Sequence, residues 1–301
     1  MMDSAFAACT VELRKLLLRG TRRCVASVER PALLFSGGLD SSILAALLSS
    51  IRPTSGPLIV AGSDAARDIQ AARQAATTLG LPLEVRRFTL IEVAEALPSI
   101  LSTVGSTDVL QVSLAIPLYF AASRAHELGV RVLLSGQGAD ELFGGYARYE
   151  RLVLQGEVRS VNAEMRTDFR KLTQTTLPYQ QAIVERHAIH LVTPYLDRPV
   201  IAFAQNLPLH YKLLRTDHAI VRKRILRNLA VDLKLPATIA DAPKRAAQYG
   251  SGAARILAEL TSGYWRQWEP RLSAQESRTQ ARIRQFLVAL KKKELCTGGK
   301  T

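Results

Sequence analysis

Through the first half of the chain, short wholly apolar runs alternate with longer stretches whose apolar residues recur every three or four positions. Residues 11–28 carry the helical spacing. Ala32 to Phe35 is an apolar run that breaks at Ser36-Gly37-Gly38, and Ser41 to Ser50 returns to helical spacing. Leu58 to Ala61 is a second apolar run, entered through a Pro53 to Pro57 turn. Asp68 to Leu79 predicts a helix stopped by Gly80 and Pro82, and Leu83 to Phe88 a third strand. Residues 112–128 predict a long apolar helix that ends at Gly129. Val130 to Leu134 is a fourth buried strand, which runs into a second glycine loop, SGQGADELFGGY. Short runs without polar alternation, separated by helices, predict a parallel sheet covered on both faces.

Beyond residue 150 the strand pattern stops. Helical spacing predicts helices over 161–172, 178–190, 199–206, 217–231 and 273–293. The expected organisation is one domain over 1–301, with an α/β part (1–150) and a helical part (151–301), because no linker, repeat or low-complexity segment divides them.

Composition narrows the class. The chain has 301 residues, 48% hydrophobic and 22% charged, which excludes a disordered or collagen-like chain and is enough to bury a core without disulfides. The longest apolar stretches, Ile43 to Leu48 and Leu114 to Ala122, are far short of the ~20 residues of a membrane span. No basic, apolar and cleavable segments follow one another at the N-terminus, so no membrane association and a cytoplasmic location are expected. Cys9, Cys24 and Cys296 are odd in number and widely spaced, with no C-x-x-C, which predicts neither a disulfide framework nor a zinc site. The net charge is +14. The basic residues are scattered, and the dense run Lys291-Lys292-Lys293 falls in a tail that reads as frayed. A solvated basic surface is expected rather than a nucleic-acid partner, and the excess charge would also suit a polyphosphate site.

The first glycine loop carries chemistry. Ser36-Gly37-Gly38-Leu39-Asp40-Ser41-Ser42 sits where a strand hands over to a helix, which presents unpaired backbone N–H groups and the positive end of the helix dipole. The glycines allow close approach of an anion, the serines offer hydroxyls, and Asp40 can hold a cation. That is a phosphate cradle with its own metal ligand. It is not a Walker A loop, since GxxxxGK[ST] is absent.

This string resembles the SGGxDS loop of the PP-loop ATP pyrophosphatase superfamily. The second loop, Leu134 to Tyr146, resembles the LSGEGADELFGGY string of the asparagine synthetase family within it. Pro194-Tyr195-Leu196-Asp197 is similar to that family's PFLD or PYLD segment. Lys223 to Arg227 (KRILR) is similar to its KxxLR helix, and Pro243-Lys244-Arg245 with Gln248 to Gly252 to its catalytic-lysine loop. The fragments keep the family's order. The resemblance implies an adenine nucleotide α-hydrolase (PP-loop) type of parallel sheet. It also implies an ATP-dependent ligase that forms AMP and pyrophosphate while it activates a carboxylate, aspartate first, as an adenylate for attack by ammonia.

Carried over by position, ATP would be held by Leu34, Ser36, Gly37, Gly38, Leu39, Asp40, Ser41, Ser42, the Val60-Ala61 segment, Ser135 and Gly136. Mg2+ would be held by Asp40 and Asp140. Lys244 would stabilise the transition state, and Gln137 would stand at the catalytic Glu position.

The departures lie outside the ATP half. Met1 is followed by Met2, not by the nucleophilic Cys of the family's glutaminase domain, so nitrogen is expected from free ammonia or from a separate glutaminase subunit. Gln137 replaces a Glu and cannot act as a base. Gln180-Gln181 replaces an acidic pair, and His190 and Val192 replace a Glu and an Arg, so the counter-charge for a substrate ammonium would have to come from Asp197 or Glu185. Other readings stay open: a different carboxylate, a tRNA-modifying PP-loop enzyme, or a non-catalytic ATP-binding relative. His187 and His190 are read as sharing a helix face without forming a metal pair. Tyr146 and Tyr149 are read as packing residues, and Trp265 and Trp268 as anchors.

Overall fold

The computed structural model describes residues 4–53, 56–216, 219–242, 250–265 and 278–297. Its centre is a five-stranded sheet, β1 (Ala32–Leu34), β2 (Leu58–Gly62), β3 (Leu83–Arg87), β4 (Val132–Leu134) and β5 (His190–Val192), in the order β3-β2-β1-β4-β5. Every neighbouring pair is parallel, with Leu33 opposite Leu58 on one side and Leu134 on the other.

The two-residue period of the strands divides the core. Leu33, Leu58, Val60 and Leu134 face one layer, formed by α1 (Ser4–Cys24), α2 (Leu39–Ile51), α3 (Arg67–Leu79), α10 (Arg198–Asn206) and α12 (Arg224–Asp232). Ala32, Ile59, Ala61 and Leu133 face the other, formed by α4 (Leu90–Val104), α5 (Val109–Glu127), α9 (Leu177–Glu185), α14 (Ala253–Trp265) and α15 (Arg278–Thr297). Burial on both faces explains why these strands read as continuous apolar runs. Among the described residues no single helix is long and apolar enough to cross a membrane. Only α4 and α5 together pass such a test, bent by 116°, and their inner faces are buried in the core.

Several elements differ from the sequence expectation. Patterning predicts nothing between Phe88 and residue 112, yet α4 is there. It is opened by a capping box between Thr89 and Glu92 and closed by left-handed Gly105, with Pro98 inside it. The helix expected over 178–190 stops at Glu185, and His190–Val192 joins the sheet. His187 and His190 therefore do not share a helix face. Between α8 (Val158–Lys171) and α9 the chain makes a π turn at Leu172–Thr176.

The helix expected over 217–231 is a hairpin followed by a shorter helix. β6 (Leu213–Arg215) pairs antiparallel with β7 (Ile220–Arg222), and α12 begins at Arg224. The tail expected to fray is helical through Thr297, and Lys291 donates to the Gly105 carbonyl at 2.6 Å. Because β5 comes from the second half and pairs with β4, the two halves share one sheet.

Candidate active site

The strand order reverses at the centre of the sheet. β1, β2 and β3 run outward one way, and β4 and β5 the other. Such a switch point opens a crevice beyond the carboxyl ends of the two central strands. Both glycine loops fall there, one after β1 and one after β4.

In the first loop Gly37 has φ +73°, and a Cβ on it would lie 2.5 Å from the Ala71 carbonyl of α3. Only glycine lets the chain turn this close to the helix. Gly38 is the N-cap of α2 and offers no side chain to the first turn, which leaves first-turn amides for an anion. Ser36 and Ser41 hydroxyls lie 3.3 Å apart, and the Ser42 hydroxyl is buried without a hydrogen-bond partner.

In the second loop Gly136 lies against Asp40 and the Ser41 amide; a Cβ on it would lie 3.3 Å from the Asp40 Cβ. Gly138, with φ +93°, starts α6 (Ala139–Phe143) and holds Asp140 in its first turn. Leu34, Ala61 and Ser135 lie at the carboxyl ends of β1, β2 and β4, which is where an adenosine would rest if the phosphates occupied the first loop.

The two loops meet through a residue that sequence reasoning noted only as part of a helix motif. Lys223 precedes α12 in the left-handed region (φ 55°, ψ 37°). Its buried Nζ is 2.5 Å from Asp40 Oδ2 and 2.6 Å from Asp140 Oδ1. Burial alone would lower its pKa, but the charges of Asp140 and then Asp40 outweigh it, so the ammonium titrates above the ordinary lysine range. Tyr195, fully buried, donates to the Asp40 carbonyl at 3.2 Å and fixes the loop from below. Its own pKa rises steeply, first through burial and then through the charges of Asp40 and Asp140.

Asp40 Oδ1 is buried with no hydrogen-bond partner among the described residues. A bare buried carboxylate oxygen is costly, and it is the hard donor that Mg2+ takes. The two aspartates thus fit a divalent ion held with phosphate oxygens.

The sequence profile of the asparagine synthase family matches residues 12–166 and 153–295. The chain belongs to the asparagine synthase family. Among relatives, the putative glutamine-hydrolyzing asparagine synthetase 1 of Methanocaldococcus jannaschii is 28% identical over 97% of this chain and 57% of its own length. The glutamine-hydrolyzing asparagine synthetase 1 of Lotus japonicus is 26% identical over 67% of this chain and 36% of its own. The chain therefore spans only part of the length of the curated relatives it matches. The solved NH3-dependent NAD synthetase from Campylobacter jejuni covers 99% of this chain at 12% identity with a TM-score of 0.41.

In this asparagine synthase-family chain the acceptor-side replacements have structural work of their own. Gln181 Oε1 accepts from the Leu191 amide at 3.1 Å, and its Nε2 lies 2.7 Å from Glu185 Oε1 and 3.0 Å from His190 Nδ1. It ties α9 to the edge strand β5. Gln180 is buried with its Oε1 unpartnered. Both candidates for the missing counter-charge already have partners. Asp197 pairs with Arg23 of α1, and Glu185 is taken by Gln181. Gln137 follows Gly136, part-exposed, and its amide donates to Ser135 Oγ at 3.4 Å.

Tyr146 donates to buried Glu141 at 2.6 Å, and Tyr149 is wholly buried and bonded to Asp168, so both are packing residues. Lys244 and Trp268 lie outside the described residues, as do the side chains of Trp265 and Cys296. Sequence reasoning missed the roles of Lys223, Tyr195 and Gly145. Each sat inside a matched motif, but nothing in local patterning says that residues so far apart in the chain converge.

Proposed function

We propose that this chain is an ATP-dependent, AMP- and pyrophosphate-forming ligase that activates a carboxylate as its adenylate for attack by ammonia, with aspartate the first acid to test. The observation that carries this reading is the meeting of Asp40 and Asp140 between two glycine loops at the switch point of the sheet. In it the uncapped first turn of α2 and the hydroxyls of Ser36, Ser41 and Ser42 bind the departing pyrophosphate. Gly136 keeps the second loop low enough for the α phosphate to reach the acid. Leu34, Ala61 and Ser135 seat the adenosine.

Asp40 and Asp140 would hold Mg2+, whose charge would offset that on the phosphate oxygens. Lys244 adds positive charge to the transition state. The carboxylate oxygen attacks the α phosphorus and pyrophosphate leaves. Ammonia then attacks the acyl carbon and AMP leaves. Gln137 can orient ammonia by hydrogen bonds, but the proton that ammonia loses must go elsewhere.

With Mg-ATP, ammonium and a panel of carboxylic acids, the expected nucleotide product is AMP, with pyrophosphate in equal amount. ADP as the only product would overturn the reading. Asp40→Asn is expected to weaken Mg-ATP binding strongly, and Lys244→Ala to slow pyrophosphate release by ~10²-fold or more.

A second reading concerns the acid itself. With Asp197 paired with Arg23, and Glu185, already bonded through one oxygen to Gln181, as the remaining carboxylate named for the role, a free α-ammonium group finds less counter-charge than an acidic pair would give, which favours an acid other than free aspartate. Saturation by aspartate below millimolar concentrations would refute it.

A further inference from the structure

Lys223 is the buried charge that the reaction above leaves without a task. It is 3% exposed, and its backbone sits in the left-handed region that a residue with a Cβ seldom adopts. That conformation aims the side chain at the two aspartates. Gly145 keeps the approach open, since a side chain there would run into both Asp140 and the Lys223 Cε. Among the described residues a single ammonium touches both carboxylates, and Asp40 Oδ1 has no hydrogen-bond partner.

An ammonium that touches one oxygen of each carboxylate, at 2.5 and 2.6 Å, stands where a bridging divalent ion would stand. Mg2+ binds carboxylate oxygens at about 2.0–2.1 Å, so an ion seated on this aspartate pair, Asp40 Oδ1 included, would lie close enough to the ammonium for the two cations to repel each other.

We propose that the Lys223 ammonium is a tethered stand-in for the divalent ion, which enters the position between Asp40 and Asp140 only as the lysine moves off it. The inference rests on the reading of these aspartates as Mg2+ ligands. It implies an order of events. A divalent ion alone must leave a displaced ammonium without an anion, and binds weakly. An ion arriving with a polyphosphate brings oxygens that can take the ammonium over, and binds well. The lysine thereby offsets the repulsion between two half-buried carboxylates between turnovers.

The test is Mn2+ binding by the full chain without nucleotide, followed by electron paramagnetic resonance of the free ion, in wild type and Lys223→Met. Methionine keeps much of the volume and removes the charge. The variant is expected to bind Mn2+ about tenfold more tightly or better. Its melting temperature should fall without added metal and recover with Mn2+ by more than the wild type gains. Equal or weaker Mn2+ binding would overturn the proposal, because the lysine would then be a fixed brace that holds the ligands in place.

Lys223→Gln is the second variant. Should neither fold, wild-type protein labelled with 15N at lysine Nζ decides: the Lys223 ammonium resonance should move on saturation with Mg2+ and pyrophosphate, and an unmoved resonance would overturn the proposal. The underlying site is tested apart from this. Unchanged Mg-ATP affinity in Asp40→Asn would sink the site itself. Normal Mg-ATP binding by wild type with unimproved Mn2+ affinity in Lys223→Met would sink the stand-in alone.

Discussion

Lys212 and Lys223 are both buried lysines, and their surroundings send them in opposite directions. Lys223 has two carboxylates. Lys212, at the end of α11 (Leu209–Lys212) and 6% exposed, is pulled down to about 8 by burial. A folded pKa below the ordinary 10.5 means that the unfolded chain holds more protons between those two values. Stability should therefore rise with pH across that window and level off above it. Lys212→Met should remove the rise and be more stable than wild type at pH 7 by about 2–3 kcal/mol, with the gap closing near pH 10.5. Urea unfolding of both proteins across the pH range measures it; a constant gap would contradict the account.

At the scale of elements, the sheet is finished by a strand that patterning assigns to a helix. β5 lies at the edge, and the Leu191 amide, which has no strand to bond, is taken by Gln181 Oε1. Gln181→Leu leaves that amide unpaired and frees Glu185, and should cost about 1–3 kcal/mol of stability. The loss should be local. Tyr195 fixes the first glycine loop from its own 3-10 turn at Pro194–Leu196, just beyond β5. Hydrogen exchange should show faster exchange in β5, with α2 unchanged. Uniform loss across the sheet would mean that Gln181 matters for folding of the whole core instead.

Taken whole, the molecule has a net charge of +14, while the crevice that gathers its two glycine loops brings Asp40 and Asp140 to Lys223. The nitrogen source also belongs to this scale. Cys9 and Cys24, both on α1, are half-buried against the core, and burial, then the charge of Asp197, raises the Cys24 thiol pKa. A thiol held protonated is a poor nucleophile. The 301-residue chain is expected to make product from ammonium and not from glutamine. Pyrophosphate release with glutamine as the sole nitrogen source, matching that with ammonium, would refute this.

The central strands, the first two crossover helices and both glycine loops were legible in the sequence because their causes are local. An apolar run buried on both faces, a glycine at positive φ and a helix start each leave a mark within a few residues. The motif strings likewise placed Asp40 and Asp140 as candidates. What tertiary structure decided is what depends on partners far along the chain. His190–Val192 is a strand because β4 offers an unpaired edge, not because its three residues demand it. Ile220–Arg222 pairs with Leu213–Arg215 across a turn in a segment whose spacing suits a helix. Lys223 meets Asp40 across 183 positions of sequence, and only the folded chain shows that a buried ammonium lies between the two carboxylates that the motifs assign to a metal.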